Sequence, residues 1–286
     1  MKWEGERQSQ NVEDRRGGGG GGFGGFGGRS VGIGTLVIAL VGGAIFGVDP
    51  GTILSLLSGG GGPVPVQQAP RTEPANDPQT RFVRATLGST EDAWTQLFAS
   101  QGAQYQPATL VLFENATGTA CGTGRSATGP FYCPADRQIY IDLGFFRLME
   151  QRFQVAGEFA QAYVIAHEVG HHVQNLLGIS DQVRQAQRSM SATEGNRLSV
   201  RLELQADCFA GIWANQRRHV IEPGDVEAAI AAATAIGDDA LQRRSQGTVV
   251  PDSFTHGSSA QRVRWFTRGL ESGSVEQCNT FQARQL

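Results

Sequence analysis

The sequence has little excess charge of either sign and no internal repeat. Its 286 residues carry 24 basic and 27 acidic side chains, a net charge of −3, whereas a nucleic-acid-binding domain usually carries a basic patch. The charge therefore argues against nucleic acid as a partner. The apolar fraction of 40% is ordinary for a globular protein, which excludes collagen and full-length disorder. A chain of this length can bury the core of one large domain or two small ones.

Cysteine is scarce, with four residues at positions 121, 133, 208 and 278. No two of them form the C-x₂-C pair that is typical of structural zinc sites, so we favour disulfides over a Cys₄ zinc site. An even number of cysteines fits an oxidising compartment. The short Gly-rich segment between Cys121 and Cys133 is typical of a hairpin. Of the three possible pairings, we therefore expect Cys121–Cys133 and Cys208–Cys278.

Glycine is concentrated near the N terminus, where ten of the 39 glycines lie within residues 17–28. Residues 1–30 are polar and Gly-rich, and they contain too little apolar surface to offset the entropy lost on ordering. We therefore predict that they form a disordered tail. Residues 49–79 are rich in Gly and Pro and predict a linker. The folded domain is expected over residues 80–286.

Residues 31–48 (VGIGTLVIALVGGAIFGV) contain no charged side chain. As a helix they would span about 27 Å, marginally enough to cross a bilayer. Arg29 precedes this segment and Asp49 follows it, so the positive-inside rule predicts a cytoplasmic N terminus and an extracytoplasmic domain. A buried core helix and a cleaved signal peptide are the alternatives, but no small-residue cleavage pattern follows the apolar run.

Residues 158–177 (EFAQAYVIAHEVGHHVQNLL) have apolar positions at helical steps of three and four. They predict a helix that ends at Gly178. On it lie His167, Glu168 and His171, the H-E-x-x-H pattern. A spacing of four puts both imidazoles on one face, where they can bind one zinc ion, and puts Glu168 beside the metal as a base for water. Two surface histidines on an amphipathic helix are the alternative.

Zinc needs a third protein ligand and an open position for water. The metzincin continuation H-x-x-G-x-x-H is absent, because Gln174 and Leu177 stand at its last two positions. A second predicted helix, residues 198–218, carries Glu203 and Asp207 one turn apart. We predict that Glu203 is the third ligand and that Asp207 accepts a hydrogen bond from the free ring N–H of a ligand histidine and so orients the ring. The alternative is that both carboxylates are solvated or paired with a neighbouring arginine.

Three segments, HEVGHHVQ, ELQAD followed by CFAG, and FTHGSSAQRVRWF, resemble the neutral zinc metallopeptidase family of bacterial membrane-anchored proteins. NVEDRRG near the N terminus, the apolar span and GPFYCPAD resemble it too, so the resemblance covers nearly the whole chain. The H-E-x-x-H and E-x-x-x-D pair also resembles gluzincins such as thermolysin. The resemblance implies that His167, His171 and Glu203 bind zinc, that Glu168 is the base and that Asp207 supports His167.

The segment from Thr255 to Arg262 resembles the His-x₅-Arg element near the C terminus of membrane-linked gluzincins, with Gly257 where those proteins have proline. The oxyanion that forms when water attacks a carbonyl needs a donor beyond the metal. His256 or Arg262 could supply this donor. The alternative is that His256 caps a helix and Arg262 forms a salt bridge.

Residues 109–114 (TLVLFE) and 138–143 (QIYIDL) predict strands from their β-branched and aromatic content. The resemblance to zinc peptidases implies that a strand at the sheet edge pairs with an extended substrate. We expect residues 138–143 to be that edge, with a core strand as the alternative. The expected fold class is α+β, a zincin-like domain behind an N-terminal single-pass helix.

These features predict a peptidase that uses one zinc ion per chain and is anchored in the bacterial cytoplasmic membrane. Its substrate would be a peptide or protein in the extracytoplasmic space. A catalytically silent zinc-binding scaffold or chaperone-like module of the cell envelope is the alternative. A zinc hydrolase acting on another amide, such as a cell-wall cross-link, is a third hypothesis. A His₂Glu site would also hold cobalt or manganese.

Overall fold

The computed structural model describes residues 1–17, 74–126 and 129–286, and these residues form an α+β domain. Its strands are β1 (Val12–Asp14), β2 (Thr109–Phe113), β3 (Ala116–Thr119), β4 (Gly122–Arg125), β5 (Phe131–Cys133) and β6 (Gln138–Asp142). Its helices are α1 (Pro78–Ser100), α2 (Gly144–Phe153), α3 (Glu158–Leu176), α4 (Ile179–Gln187), α5 (Ala192–Gln216), α6 (Asp225–Ala235), α7 (Asp238–Gln246) and α8 (Ser259–Ser272). The predicted fold class is thus confirmed at the level of α+β.

The main sheet has four strands in the order β1-β2-β6-β5. Strand β2 pairs in parallel with β1 and β6, and β5 pairs with β6 in the antiparallel sense. The prediction that residues 138–143 form the sheet edge is wrong, because β6 is hydrogen-bonded on both sides. Its side chains Ile139, Tyr140 and Ile141 are buried as those of a core strand. The edge beyond β6 is the short strand β5.

The two predicted helices are confirmed, and local signals explain their ends. Helix α3 ends next to Gly178, whose φ of 74° is a left-handed conformation that favours glycine. Helix α5 begins at a capping box in which Ser191 and Glu194 satisfy each other's backbone N–H groups.

Both expected disulfides are confirmed. They are typical of an oxidising, extracytoplasmic compartment.

The first 17 residues form an arm that packs on the domain, so the prediction of disorder is wrong for residues 1–17. The Trp3 ring lies against Phe82 of α1, with ring centroids 5.6 Å apart. Ser9 donates a 2.6 Å hydrogen bond to the buried carboxylate of Glu91. A side chain at Gly88 would come within 2.3 Å of a backbone oxygen of the arm, so the absence of a Cβ allows this close contact.

The docked arm bears on membrane topology. One crossing between residues 17 and 74 would hold β1 and β2 on opposite faces of a bilayer whose apolar core is about 30 Å thick, yet these strands are hydrogen-bonded neighbours. A cytoplasmic N terminus with an extracytoplasmic domain therefore does not agree with this fold. The predicted span, residues 31–48, lies outside the described residues. Within the parts that the structure describes, no helix has the length and apolar character needed to cross a membrane.

Candidate metal centre

Helix α3 places the three residues of the H-E-x-x-H pattern at the face that meets α5. Gly170, between the two histidines, allows the two helices to approach closely. A Cβ at this position would lie 2.9 Å from the carbonyl oxygen of Ala206. This approach brings Glu203 of α5 to the two imidazole rings that α3 presents.

The three predicted ligands meet at one point. The Glu203 carboxylate lies 3.2 Å from Nε2 of His167 and 3.4 Å from Nε2 of His171. One ligand atom from each residue lies within 4.8 Å of the other two. Two imidazole nitrogens and a carboxylate oxygen are the donors of a three-ligand zinc site with an open position. The residues present therefore fit the metal that the sequence predicts.

His167 is held by a buried charged cluster. Its Nδ1 lies 2.8 Å from Oδ1 of Asp207, which is fully buried. Arg262 donates to both oxygens of Asp207 at 2.9 Å, and the Tyr163 hydroxyl donates at 2.6 Å. Burial alone would raise the pKa of Asp207, but Arg262 and His167 outweigh burial and lower the pKa to about 2. Asp207 thus remains a carboxylate, and its contact with Nδ1 of His167 agrees with the predicted role of orienting that ring.

Arg262 lies next to Asp207, the hydrogen-bond partner of His167. Its guanidinium is 3% exposed, and its third nitrogen, Nη1, donates to the carbonyl of Ile236 at 3.3 Å. Each of its three nitrogens therefore has an acceptor within the protein. This arrangement favours the salt-bridge alternative over the predicted donation to substrate.

His171 is held differently, by an amide. Its Nδ1 lies 2.9 Å from Oε1 of Gln174, which is completely buried one turn further along α3. Burial lowers the pKa of His171, but Glu203 outweighs it and the net shift is upward. In the sequence, Gln174 served only to exclude a metzincin. Its spacing of three from His171 was the signal that could have revealed this contact.

Glu168 lies beside the three ligands in the same cavity and is 6% exposed. Burial raises the pKa of its carboxyl group, although the two histidines oppose this shift. A carboxylate with a raised pKa is a better acceptor for a proton from water near neutral pH. The position and the environment of Glu168 agree with its predicted role.

His256 reaches the cavity from the loop before α8. Its Nδ1 lies 3.3 Å from Oδ1 of Asp238. The other oxygen of Asp238 accepts backbone N–H groups from Thr255, His256 and Gly257 at 2.6 to 3.0 Å. Burial lowers the pKa of His256, but the carboxylates of Glu203 and Asp238 raise it overall. Asp238 was not predicted, because 18 residues separate it from His256 and no motif links them.

The cavity around these residues has a volume of about 370 Å³. Phe131 and Tyr132 of the edge strand β5 form part of one wall, and Val183 and Arg184 of α4 form part of another. This cleft is thus lined by the edge strand and a helix, and Glu168 and the three candidate ligands line it as well.

Comparison with known proteins agrees with this geometry. Residues 1–281 match the family described as "putative neutral zinc metallopeptidase". The chain belongs to this family. The family match includes the N-terminal arm as well as the metal centre.

Two relatives illustrate the similarity of this chain to other bacterial proteins. It is 52% identical to the uncharacterized protein YpfJ of Escherichia coli K12, over 98% of this chain and 99% of that protein. It is 38% identical to the uncharacterized protein Mb2605 of Mycobacterium bovis, over 85% and 86% of the two chains. No solved structure matches the chain.

Proposed function

We propose that the chain is a zinc-dependent peptidase that uses Glu168 as the general base. The observation that carries this proposal is the convergence of His167, His171 and Glu203 within 4.8 Å, with Glu168 in the same cavity. One zinc ion per chain would be held by these three side chains. Zinc in such a site polarises a carbonyl and makes water nucleophilic at neutral pH.

The side chains around the cleft have separate tasks in this proposal. Glu168 takes the proton of the attacking water and later delivers it to the leaving amine. His256, with Nδ1 directed at Asp238, offers Nε2 to the oxyanion that forms on the carbonyl. Asp207 and Arg262 keep the ring of His167 in place. The edge of β5 binds the substrate backbone through main-chain hydrogen bonds, which tolerate varied sequences.

The compartment of the reaction follows from the disulfides and the arm. Two disulfides support an extracytoplasmic location for the domain. Because β1 pairs with β2, residues 1–17 would be in the same compartment. The substrate would then be an extracytoplasmic peptide or protein. Association with the bilayer through residues 31–48 stays a prediction.

The proposal is tested by comparing the full-length protein with its Glu168→Gln variant. Both should bind zinc, because Glu168 is not one of the ligands. Hydrolysis of a quenched fluorescent casein should fall by at least ~100-fold in the variant, since general-base catalysis contributes about 10²- to 10⁴-fold. Glu150→Gln changes an exposed glutamate of α2 and serves as the control.

Equal hydrolysis by wild type and Glu168→Gln would refute the proposed mechanism. Bound zinc without hydrolysis of casein or a peptide library by the wild type would instead favour a zinc-binding scaffold. Hydrolysis of peptidoglycan cross-links but not of casein would assign the site to another amide.

A further inference from the structure

The ring of His171 stands at the end of a chain of buried amides. Gln174 Oε1 faces Nδ1 of His171 at 2.9 Å, and Gln174 Nε2 faces two acceptors, the carbonyl of Leu202 at 2.6 Å and Oε1 of Gln205 at 3.1 Å. An amide nitrogen only donates, so these two acceptors fix which way the Gln174 amide points. Its oxygen must therefore face His171.

This orientation fixes the proton on His171. Because Gln174 Oε1 is an acceptor, Nδ1 of His171 must carry a hydrogen and donate it. The nitrogen left for a metal is Nε2, the atom that faces Glu203. The protein thus selects the metal-binding nitrogen of His171 through a neutral amide. A partner that fixes the tautomer of a ligand histidine raises its affinity for metal.

The amide chain continues to the C-terminal segment. Gln205 Nε2 donates to the carbonyl oxygen of Cys278 at 3.1 Å, and both residues are buried. Cys278 is bonded to Cys208, which lies three residues after Gln205 on α5. The hydroxyl of Thr280 donates to the carbonyl of Arg201 at 2.6 Å, one turn before Gln205. The disulfide therefore holds the last acceptor of the chain against α5.

We propose that Gln174 and Gln205 are positioning residues for the metal ligand His171, and that the Cys208–Cys278 disulfide holds them in register. Zinc affinity then depends on the disulfide, although no cysteine touches the metal. In the cell, formation of this disulfide would precede full occupancy of the site by zinc. This inference rests on the metal site of the proposed function.

The test measures zinc affinity of the full chain by competition with a fluorescent chelator. Gln174→Leu should bind zinc about 10-fold more weakly than wild type, in the range typical of lost partners of ligand histidines. Gln205→Leu and the double variant Cys208→Ala/Cys278→Ala should show smaller losses in the same direction. Asn215→Leu is the control, because it removes a half-buried amide of α5 that binds the carbonyl of Leu270 at 2.7 Å, away from the metal ligands.

A second measurement separates positioning from general stability. In the zinc-loaded wild type, the Nδ1–H proton of His171 should give a slowly exchanging NMR signal, because Gln174 accepts it in a buried site. Gln174→Leu should lose this protection, while Asn215→Leu should keep it.

Three outcomes have distinct meanings. If the wild type itself binds no zinc, the proposed function fails and the inference fails with it. If the wild type binds zinc and Gln174→Leu binds it equally well, only the inference is overturned. Wild-type affinity in the cysteine double variant would refute the link to the disulfide.

Discussion

The two histidines of the candidate metal centre are one turn apart on the same helix, yet one is held by a charged group and the other by a neutral group. His167 donates to a carboxylate that is itself paired with Arg262 and hydrogen-bonded to Tyr163. His171 donates to the neutral amide of Gln174. The first histidine is thus embedded in a buried charged cluster, and the second ends a chain of uncharged groups.

The two kinds of support predict different free-energy costs when a hydrogen-bond partner is removed. A buried charge that loses its partner is left without compensation, and this costs about 3–5 kcal/mol. A buried amide that loses its partner costs about 1–3 kcal/mol, because no net charge is exposed to the low-dielectric interior. We expect the His167 side to contribute more to folding stability and the His171 side chiefly to orientation.

The largest effect is expected from Arg262→Met, which leaves the carboxylate of Asp207 without its guanidinium. The free energy of unfolding of the metal-free protein, measured in urea, should fall by about 3–5 kcal/mol. Arg197→Met is the control, because Arg197 and Asp252 form an exposed pair with side chains about 72% and 73% accessible. Such a pair contributes about 0–1 kcal/mol. Equal losses of unfolding free energy in Arg262→Met and Arg197→Met would contradict the large contribution expected from the buried charged cluster around His167.

A smaller effect is expected from Asp207→Asn, which keeps the shape of the side chain but removes its charge. The amide oxygen can still accept from His167, although its NH₂ group then faces the donors of Arg262. Zinc affinity should fall by about 100-fold, the upper end of the usual range for such partners. This loss should exceed the one expected for Gln174→Leu, since hydrogen bonds to charged groups are about twice as strong. A smaller loss of zinc affinity in Asp207→Asn than in Gln174→Leu would contradict the view that the charged partner of His167 contributes more than the neutral partner of His171.

The helix faces that carry the candidate ligands were predictable because helical spacing is local. Two histidines four apart, and a glutamate and an aspartate four apart on a second helix, must each share a face. The spacing of three places Gln174 beside His171, but the contacts of Gln174 with α5 and the link from Asp238 to His256 were not predictable. They depend on how α3 packs against α5 and on how α7 meets the loop before α8, and the amide of Gln174 has no charge or motif that would mark its contacts across the helices.

The N-terminal arm shows where composition misleads. Residues 1–17 have few apolar side chains, so an estimate from their own sequence predicts disorder. Their partners are far along the chain: Val12 pairs with Leu110, and Trp3 packs on Phe82. The long apolar segment after them then favoured a topology in which the arm and the domain are on opposite sides. The tertiary contacts of the arm with the domain, among them the pairing of β1 with β2, contradict it.

The most direct measurement is the zinc content of the full-length protein, wild type beside Glu203→Ala, by elemental analysis after metal-replete purification. The arm must be retained, because a chain starting after residue 17 lacks β1. We expect one equivalent of zinc in the wild type and little in the variant, since Glu203 is the ligand that α5 supplies to the proposed site. One equivalent in both proteins would contradict a centre formed by His167, His171 and Glu203.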